Sequence, residues 1–591
     1  MKDKQTKCDC REKREQIARE EKSWRENLLD KRVSRYNLEK SPTSFYTPNA
    51  IRDFDFLEKV GFPGQYPFTA GNAPFDFAKA NEKLAAQANY RPDWGGARGV
   101  GKYGGFGAAA DYRDYLKRMH SMGRFGGPNM AFDLVTQCGY DSDSPMAEGE
   151  VGRVGVAIDS FRDFCVIYEP YTGDLEIDKV PSNFTINAPC AIIIAMYAEL
   201  ARSRGIDPVA LRGTPQNDIL KEFIARGTYI YPAGPSLRLF RDALQFMRKH
   251  MPLLNVNSIG GYHIREAGAT RTQDLAFSLA NAAAYIQEGI NAGLDPNDFL
   301  TKFTFNAFGG SMEIYKEIAF HRASRRMYAR MLKEEFGVTN PKAMTIRQPI
   351  TAHIGCSSTT LQRALNNWPR AVVGGVAAGM TGSLPGVFPP WDEPLGLGHS
   401  QEAVQMQLDA TRILMHETGL TDVCDPWAGS YFMESLTDEL EAEALAEMDK
   451  IKGMGGAVAA IESGYMPKAV AKSAYEKQKR IESQEDLVVG VNCYTSDLEL
   501  EVTINREVEA TYDPALMATC EERQKASLRE LKRTRDGRTA ASLLSSLRTH
   551  AKDENRNLMP DICDCVKNDC TLQEICDALR EVFGEAQPVK L

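Results

Sequence analysis

From about residue 126 to residue 380 the chain alternates short apolar runs with longer amphipathic ones, and this alternation limits the possible fold more than any other feature. The short runs are GGPNMAFDL, VGVAID, FTINAP, LRGTPQ, LLNVNSIGG, FLTKFTFNAF and KAMTIRQP, with a weaker eighth around AVVGGVAAG. Between them lie CAIIIAMYAELARSRG, PSLRLFRDALQFMRKH and TQDLAFSLANAAAYIQEGINAG, whose apolar residues recur at helical spacing. Such alternation predicts an α/β fold with a parallel sheet, and about eight units favour closure into a (β/α)8 TIM barrel. A doubly wound open sheet is the competing arrangement. No G-x-G-x-x-G follows a strand in the right place, since GKYGGFG lacks that spacing, so a dinucleotide fold loses ground.

The flanks read differently. Residues 1–32 carry 19 Lys, Arg, Asp and Glu of mixed sign with few apolar positions, which predicts a solvated helical arm that reaches across a partner. From residue 431 onward the chain is helical and charged, as in LTDELEAEALAEMDKIKGMGG. The expected organisation is an N-terminal arm over 1–50, a barrel over 51–430 and a helical extension over 431–591. A net charge of -9 gives no footprint for nucleic acid, so an acyl-CoA or phosphate ligand would need a local basic site. No apolar run of membrane-spanning length and no signal peptide are visible, which points to the cytoplasm. Thirteen cysteines scattered through a chain of 591 residues fit reduced thiols, and the clusters Cys8–Cys10 and Cys563, Cys565, Cys570, Cys576 lack paired C-x-x-C spacing, so no metal site is expected.

Chemistry-bearing residues gather at the carboxyl ends expected for the strands: Thr214, Gln216 and Asn217, then Arg226, then Asn255, Tyr262 and His263, and Lys302. In a barrel those ends converge on one mouth. Metal hydrolysis is disfavoured, because the eight histidines show no H-x-H or H-E-x-x-H. No G-x-S-x-G marks a serine nucleophile. Something other than a protein nucleophile is left to do the chemistry.

The stretches KYGGFG, CGYDSDSP, GVAIDS, GTPQNDILKEF, RGTYIYP, GGYHIREAGAT and DPWAGSYF, with the ending NRNLMPDI through TLQEICDALREVFGE, resemble the large subunit of adenosylcobalamin-dependent acyl-CoA mutases, the methylmalonyl-CoA mutase family. The resemblance covers roughly residues 40–590. It implies an isomerase in which the cofactor's carbon–cobalt bond breaks homolytically, the deoxyadenosyl radical takes a hydrogen from the acyl-CoA, and the thioester carbonyl migrates to the neighbouring carbon. On this pattern His263 hydrogen-bonds the thioester carbonyl, Tyr262 walls the cavity, and Tyr103 presses near the adenosyl group and the substrate. Thr214 and Gln216 match substrate contacts, with Asn255 and Lys302 grouped beside them. Arg226 matches the arginine that grips a free carboxylate of the acyl group. Glu266 and Glu393 are the cofactor-facing carboxylates. Relatives acting on 2-hydroxyisobutyryl-CoA carry an Asp where Ala131 aligns, so Tyr103, Arg226 and Ala131 together favour methylmalonyl-CoA interconverting with succinyl-CoA.

Three departures accompany the match. GSLPGVFPPWDEP keeps Glu393 but lacks the family's preceding Asn, ANYRPDWGGARGVGKY shows extra glycines and no counterpart to an expected Arg, and GGPNMAFDL replaces a stretch closer to LSVAFDL. A bulkier substituted malonyl- or succinyl-CoA is the alternative substrate, and a catalytically silent acyl-CoA-binding scaffold is the rival from another class. The family's cobalamin-binding domain uses D-x-H-x-x-G, which none of the eight histidines satisfies. The expectation is a separate cobalamin-binding small subunit, in a heterodimer or heterotetramer.

Overall fold

The runs VGKYG, GPNMA, SNFT and GTP form four strands, β1 (Val100–Gly104), β2 (Gly127–Ala131), β3 (Ser182–Thr185) and β4 (Gly213–Pro215), paired side by side in chain order and all parallel. The structure is a computed structural model that describes residues 2–588 apart from 42, 74–99, 122–125, 306–308, 348–352, 382–388, 396–399, 421 and 497–513. Backbone hydrogen bonds carry the sheet further. Asn255 and Ser258 donate to Gly213 and Gln216 at 2.9 and 2.7 Å, and Val256 and Ile259 donate to Lys302 and Thr304 at 3.0 and 2.9 Å. Phe305 then donates to Arg347 at 2.8 Å. A short pair, β5 (Gly309–Gly310) and β6 (His353–Ile354), is also parallel. Spatial order following chain order is what successive right-handed βα units produce.

Each crossover is a helix: α1 (Ala109–Ser121), α2 (Phe161–Ile167), α3 (Cys190–Ser203), α4 (Ala233–His250), α5 (Gly261–Glu266), α6 (Arg271–Asn291) and α7 (Ile314–Glu334). Helix α3 buries twelve consecutive residues from Cys190 to Ala201, so it is apolar on all sides and sits inside the packing rather than on it. Phe164, Tyr168, Phe184 and Tyr197 meet ring to ring between α2, β3 and α3. Strand β4 starts on Gly213 with φ +142°, where a Cβ would lie 1.8 Å from the Ser182 carbonyl oxygen; only glycine allows the strands to approach there.

Five expected strands come out otherwise: LLNVNSIGG and FLTKFTFNAF share one parallel bridge, Ile259 with Phe305, and KAMTIRQP, among the described residues, joins through the Arg347 carbonyl. AVVGGVAAG lies in helix α8 (Asn367–Gly379), because Ala371, Gly374, Gly375 and Ala378 are buried at helical spacing, and α8 packs on helix α9 (Gln401–His416) through Ala371, Ala410 and Leu414. VGVAID contributes one parallel bridge, Val156 with Phe132. The region after residue 430 forms helices α10 (Tyr431–Gly453), α11 (Tyr465–Glu482), α12 (Pro514–Thr534), α13 (Gly537–Ala551), α14 (Met559–Lys567) and α15 (Leu572–Phe583). Residues of α10, α11, α13, α14 and α15 share one hydrophobic core with the sheet, and the four cysteines of α14, α15 and their link are all buried in it. The N-terminal helical segment ends at Arg35, and none of residues 12–35 is buried. No helix among the described residues is long and apolar enough to cross a membrane.

Candidate active site

Beyond β3 and β4, at the carboxyl ends of the strands where parallel α/β sheets carry their sites, the chain buries a run of polar side chains. Asn187 follows β3, and Gln216, Asn217, Asp218, Lys221 and Glu222 follow β4; none is more than 5% exposed. They form one hydrogen-bonded hub. The Asn187 amide donates to Gln216 Oε1 at 3.0 Å and to Glu222 Oε1 at 2.7 Å, while its carbonyl oxygen accepts from the Asp218 N–H at 3.0 Å. Lys221 Nζ is in direct contact with Glu222 Oε1, and Thr228 donates its N–H and hydroxyl to Glu222 Oε2 at 3.2 and 2.5 Å. Burial pushes the Glu222 carboxyl up, but the charges of Lys221 and Arg226 outweigh burial and hold it below the ordinary range.

Two arms leave this hub. Asp218 accepts from the Gly260 N–H and from the Tyr285 hydroxyl, both at 2.7 Å, so it fixes the turn that opens α5. Burial lifts the Asp218 carboxyl despite the nearby Lys221 charge. On α5, His263 Nδ1 lies 3.3 Å from the Gly260 carbonyl oxygen and its ring sits 4.5 Å from that of Tyr262. A Cβ at Gly260 would lie 2.7 Å from His263 Nδ1 and 3.2 Å from Lys221 Cδ, so glycine lets histidine and lysine flank the same turn. The second arm is Arg226. It ends a π-turn over Glu222–Arg226, closed by the Gly227 N–H on the Glu222 carbonyl, and its Nη1 stands 3.6 Å from Glu222 Oε1. That nitrogen is buried and makes no hydrogen bond. Single π-turns recur at functional sites.

Of the residues singled out from sequence, Gln216, Arg226, Tyr262 and His263 are thus linked at the carboxyl ends of the strands. Asn255 and Lys302 are not, which corrects the expectation that all share one mouth: Asn255 opens its extended segment opposite Gly213, and Lys302 ends a turn just before the next one. Thr214 lies within β4, and its hydroxyl accepts from the Asn255 amide at 2.7 Å. Arg347 reaches Asn255 Oδ1 at 3.3 Å. Burial lowers the Lys302 ammonium, and the charges of Arg347 and Arg248 lower it further, so several cations gather at this amino end. The Glu266 carboxylate accepts from the Ser357 N–H and hydroxyl at 2.9 and 3.0 Å, just after β6. Glu393 opens a short turn, Glu393–Leu395. Tyr103 pairs in register with Asn129, and its side chain lies outside the described residues, as do 88–99 of the stretch before it and 382–388 of the stretch before Glu393. Asn187, Asp218, Lys221, Glu222 and Tyr285 were not singled out from sequence. The signal for three of them was present in NDILKEF, where charged residues flank an apolar pair.

A parallel α/β sheet with a buried charged hub at the carboxyl ends of its strands is the layout of an enzyme. Residues 37–585 match the family model "Methylmalonyl-CoA mutase". The chain is 34% identical over 539 residues to the 2-hydroxyisobutanoyl-CoA mutase large subunit of Aquincola tertiaricarbonis, covering 91% of this chain and 90% of that one. It is 35% identical over 535 residues to a probable mitochondrial methylmalonyl-CoA mutase of Caenorhabditis elegans, covering 90% of this chain and 67% of that one. Against the methylmalonyl-CoA mutase of Escherichia coli (strain K12) identity is 33% over 572 residues, with 96% and 74% covered. The chain belongs to the methylmalonyl-CoA mutase family. It is an isomerase of the acyl-CoA mutase class, a family that is generally cobalamin-dependent.

Proposed function

We propose that this chain is the substrate-binding large subunit of an adenosylcobalamin-dependent mutase that interconverts (R)-methylmalonyl-CoA and succinyl-CoA. The buried Nη1 of Arg226 carries the reading: a guanidinium nitrogen shielded from water and without a hydrogen-bond partner calls for an anion. The free carboxylate of a dicarboxylyl thioester is such an anion. His263 then donates to the thioester carbonyl as charge develops on its oxygen, with Tyr262 covering that edge of the cavity. Ala131 supplies no polar group for a hydroxyl substituent, which favours this substrate over a 2-hydroxyisobutanoyl one.

The basic group at the opposite ends of the strands supports a coenzyme A ester, whose phosphates need local positive charge. Lys302, Arg347 and Arg248 supply it, and Thr214 and Asn255 line the way between the two ends. This makes the ligand a long one that runs through the sheet. We further propose that the sheet closes as a (β/α)8 barrel around it, with an arm over 1–50 and a helical extension from 431.

The residues present fit adenosylcobalamin. Each oxygen of Glu266 takes one hydrogen bond from Ser357 and keeps acceptor capacity for ribose hydroxyls, with Glu393 and Tyr103 as further contacts. When bound, the cofactor supplies a weak carbon–cobalt bond and with it the radical chemistry. The chain's part is to orient the acyl group and exclude water. A separate small subunit holds most of the cofactor; the support is that the chain covers 90% of a relative named a large subunit but 67% of the nematode enzyme.

The test is turnover of methylmalonyl-CoA, followed as succinyl-CoA by mass spectrometry, with the purified chain, adenosylcobalamin and a candidate small subunit from the same genome. Conversion that requires all three supports the proposal. Activity confined to bulkier alkylmalonyl or alkylsuccinyl esters replaces the substrate and keeps the class, and acyl-CoA binding without turnover on any ester leaves a scaffold.

A further inference from the structure

Among the described residues Arg226 is held by a single carboxylate, whose oxygens already serve other donors. Glu222 Oε1 takes Lys221 and the Asn187 amide, and Oε2 takes two hydrogen bonds from Thr228. Arg226 is left at 3.6 Å, inside ion-pair range but outside hydrogen-bond range. The other carboxylate of the hub, Asp218, is committed to Gly260 and Tyr285. Lys221 and Glu222 have fully buried side chains. A dry ion pair of this kind adds little stability over an apolar pair of the same size, because both ions lose their hydration. Its presence therefore calls for a reason other than holding the fold together.

Charge competition supplies one. If Glu222 had no lysine beside it, Oε1 would have room for Arg226 Nη1 beside the Asn187 amide, and the two would close into a charge-assisted hydrogen bond. The guanidinium would then be quenched from within. With Lys221 on Oε1, the carboxylate is neutralised in place. Arg226 is tethered by residual attraction, while its buried Nη1 keeps an unused donor.

We propose that the Lys221–Glu222 pair is a specificity device: it positions Arg226 while keeping its inner nitrogen unsaturated, so that the site selects acyl-CoA esters bearing a second, free carboxylate over esters ending in an alkyl group. Lys221 and Glu222 are positioning residues that act through Arg226. The inference rests on the reading of Arg226 as the carboxylate clamp.

The test is calorimetric titration of the full chain with methylmalonyl-CoA and with isobutyryl-CoA, which differ only in a carboxylate standing where the other has a methyl group. Wild type is expected to prefer methylmalonyl-CoA. Lys221→Met leaves Glu222 free to close on Arg226, and is expected to reduce that preference about tenfold or more, the worth of one charge-assisted hydrogen bond. Affinity for isobutyryl-CoA should stay within about threefold, a split that general loosening of the site would not produce. Lys221→Arg should restore the preference. Should the single variant fail to fold, the neutral double variant Lys221→Met with Glu222→Gln removes both buried charges and is expected to lose the preference by releasing the tether. A folded Lys221→Met, or folded double variant, that keeps the wild-type preference within about threefold overturns the specificity role alone. A wild type without any preference removes the carboxylate clamp itself, and the proposal with it.

Discussion

On the proposed function Arg226 and His263 would divide the acyl group between them, one facing its terminal carboxylate and the other its thioester carbonyl, and each makes a separable expectation. Arg226→Gln removes the charge and leaves a shorter side chain that still carries an amide donor. It is expected to weaken a dicarboxylyl thioester roughly 10–100-fold, as loss of a charge-assisted bond would, and to leave isobutyryl-CoA nearly unaffected; equal losses on both esters would end the clamp role. His263→Ala is expected to lower kcat by about 10²–10³ with little change in KM, since a preorganised donor acts mainly on the charge that develops during reaction. An unchanged kcat in the reconstituted system removes His263 from the mechanism.

At the scale of elements, α7 is the beam on which the site's surroundings rest. From its buried side, Arg322 donates to Asp425 at 2.9 Å, to Thr437 at 2.8 Å and to Glu434 at 2.6 Å, tying α7 to α10 and to the loop before it. Its neighbour Arg325 donates to the Phe68 and Thr69 carbonyls at 3.0 and 2.7 Å, and Glu317 on the same helix takes Arg265 of α5 at 3.1 Å. The helix carrying His263 is therefore braced from behind by a charge pair on α7. Arg322→Met strands two buried carboxylates and is expected to destabilise by about 3–5 kcal/mol. Thermal melting of the purified chain checks this, and a shift of only a degree or two would show that Asp425 and Glu434 find other partners.

For the molecule as a whole, acid stability follows from groups buried in the wrong charge state. His321 is buried on α7, and burial, reinforced by Arg325 and Arg265, pushes its pKa down to about 3. Unfolding exposes a histidine that protonates near 6.5, so its neutral form stabilises the fold above that pH, and the contribution is lost as pH falls from about 6.5 toward 3. The loss is about 1.4 kcal/mol per pH unit. Asp133, Asp141 and Asp242, each raised to about 6 chiefly by burial, work in the opposite sense: their contribution is present at low pH and is lost as pH rises through about 6. A difference measurement isolates the histidine. Between pH 6.5 and 5 the stability gap between wild type and His321→Gln is expected to change by about 2 kcal/mol in disfavour of the wild type, and a constant gap would mean that His321 titrates normally.

Much of this was written locally. The helical spacing in CAIIIAMYAELARS, the capping box of Thr270 and Gln273 before α6 and the short runs SNFT and GTP specify their elements from neighbouring residues alone, and the motifs through GTPQNDILKEF and GGYHIREAGAT carry the family. AVVGGVAAG shows the limit, because an apolar stretch of small residues reads as strand or helix until its partner, α9, decides. The same holds for the site. Asn255 and His263 are close in sequence yet stand on opposite sides of the sheet, since the extended segment from Asn255 to Ile259 advances about 3.3 Å per residue before α5 begins with His263 on it. By itself, then, the sequence determined most of the helices, the α/β class with its parallel sheet and the family, because those depend on periodicity and turn chemistry within a few residues. The tertiary structure alone decided which polar groups share an end of the sheet and how Asn187, Lys221 and Glu222 leave Arg226 one donor unspent, because hydrogen bonds and charge competition between distant residues exist only once the strands are paired.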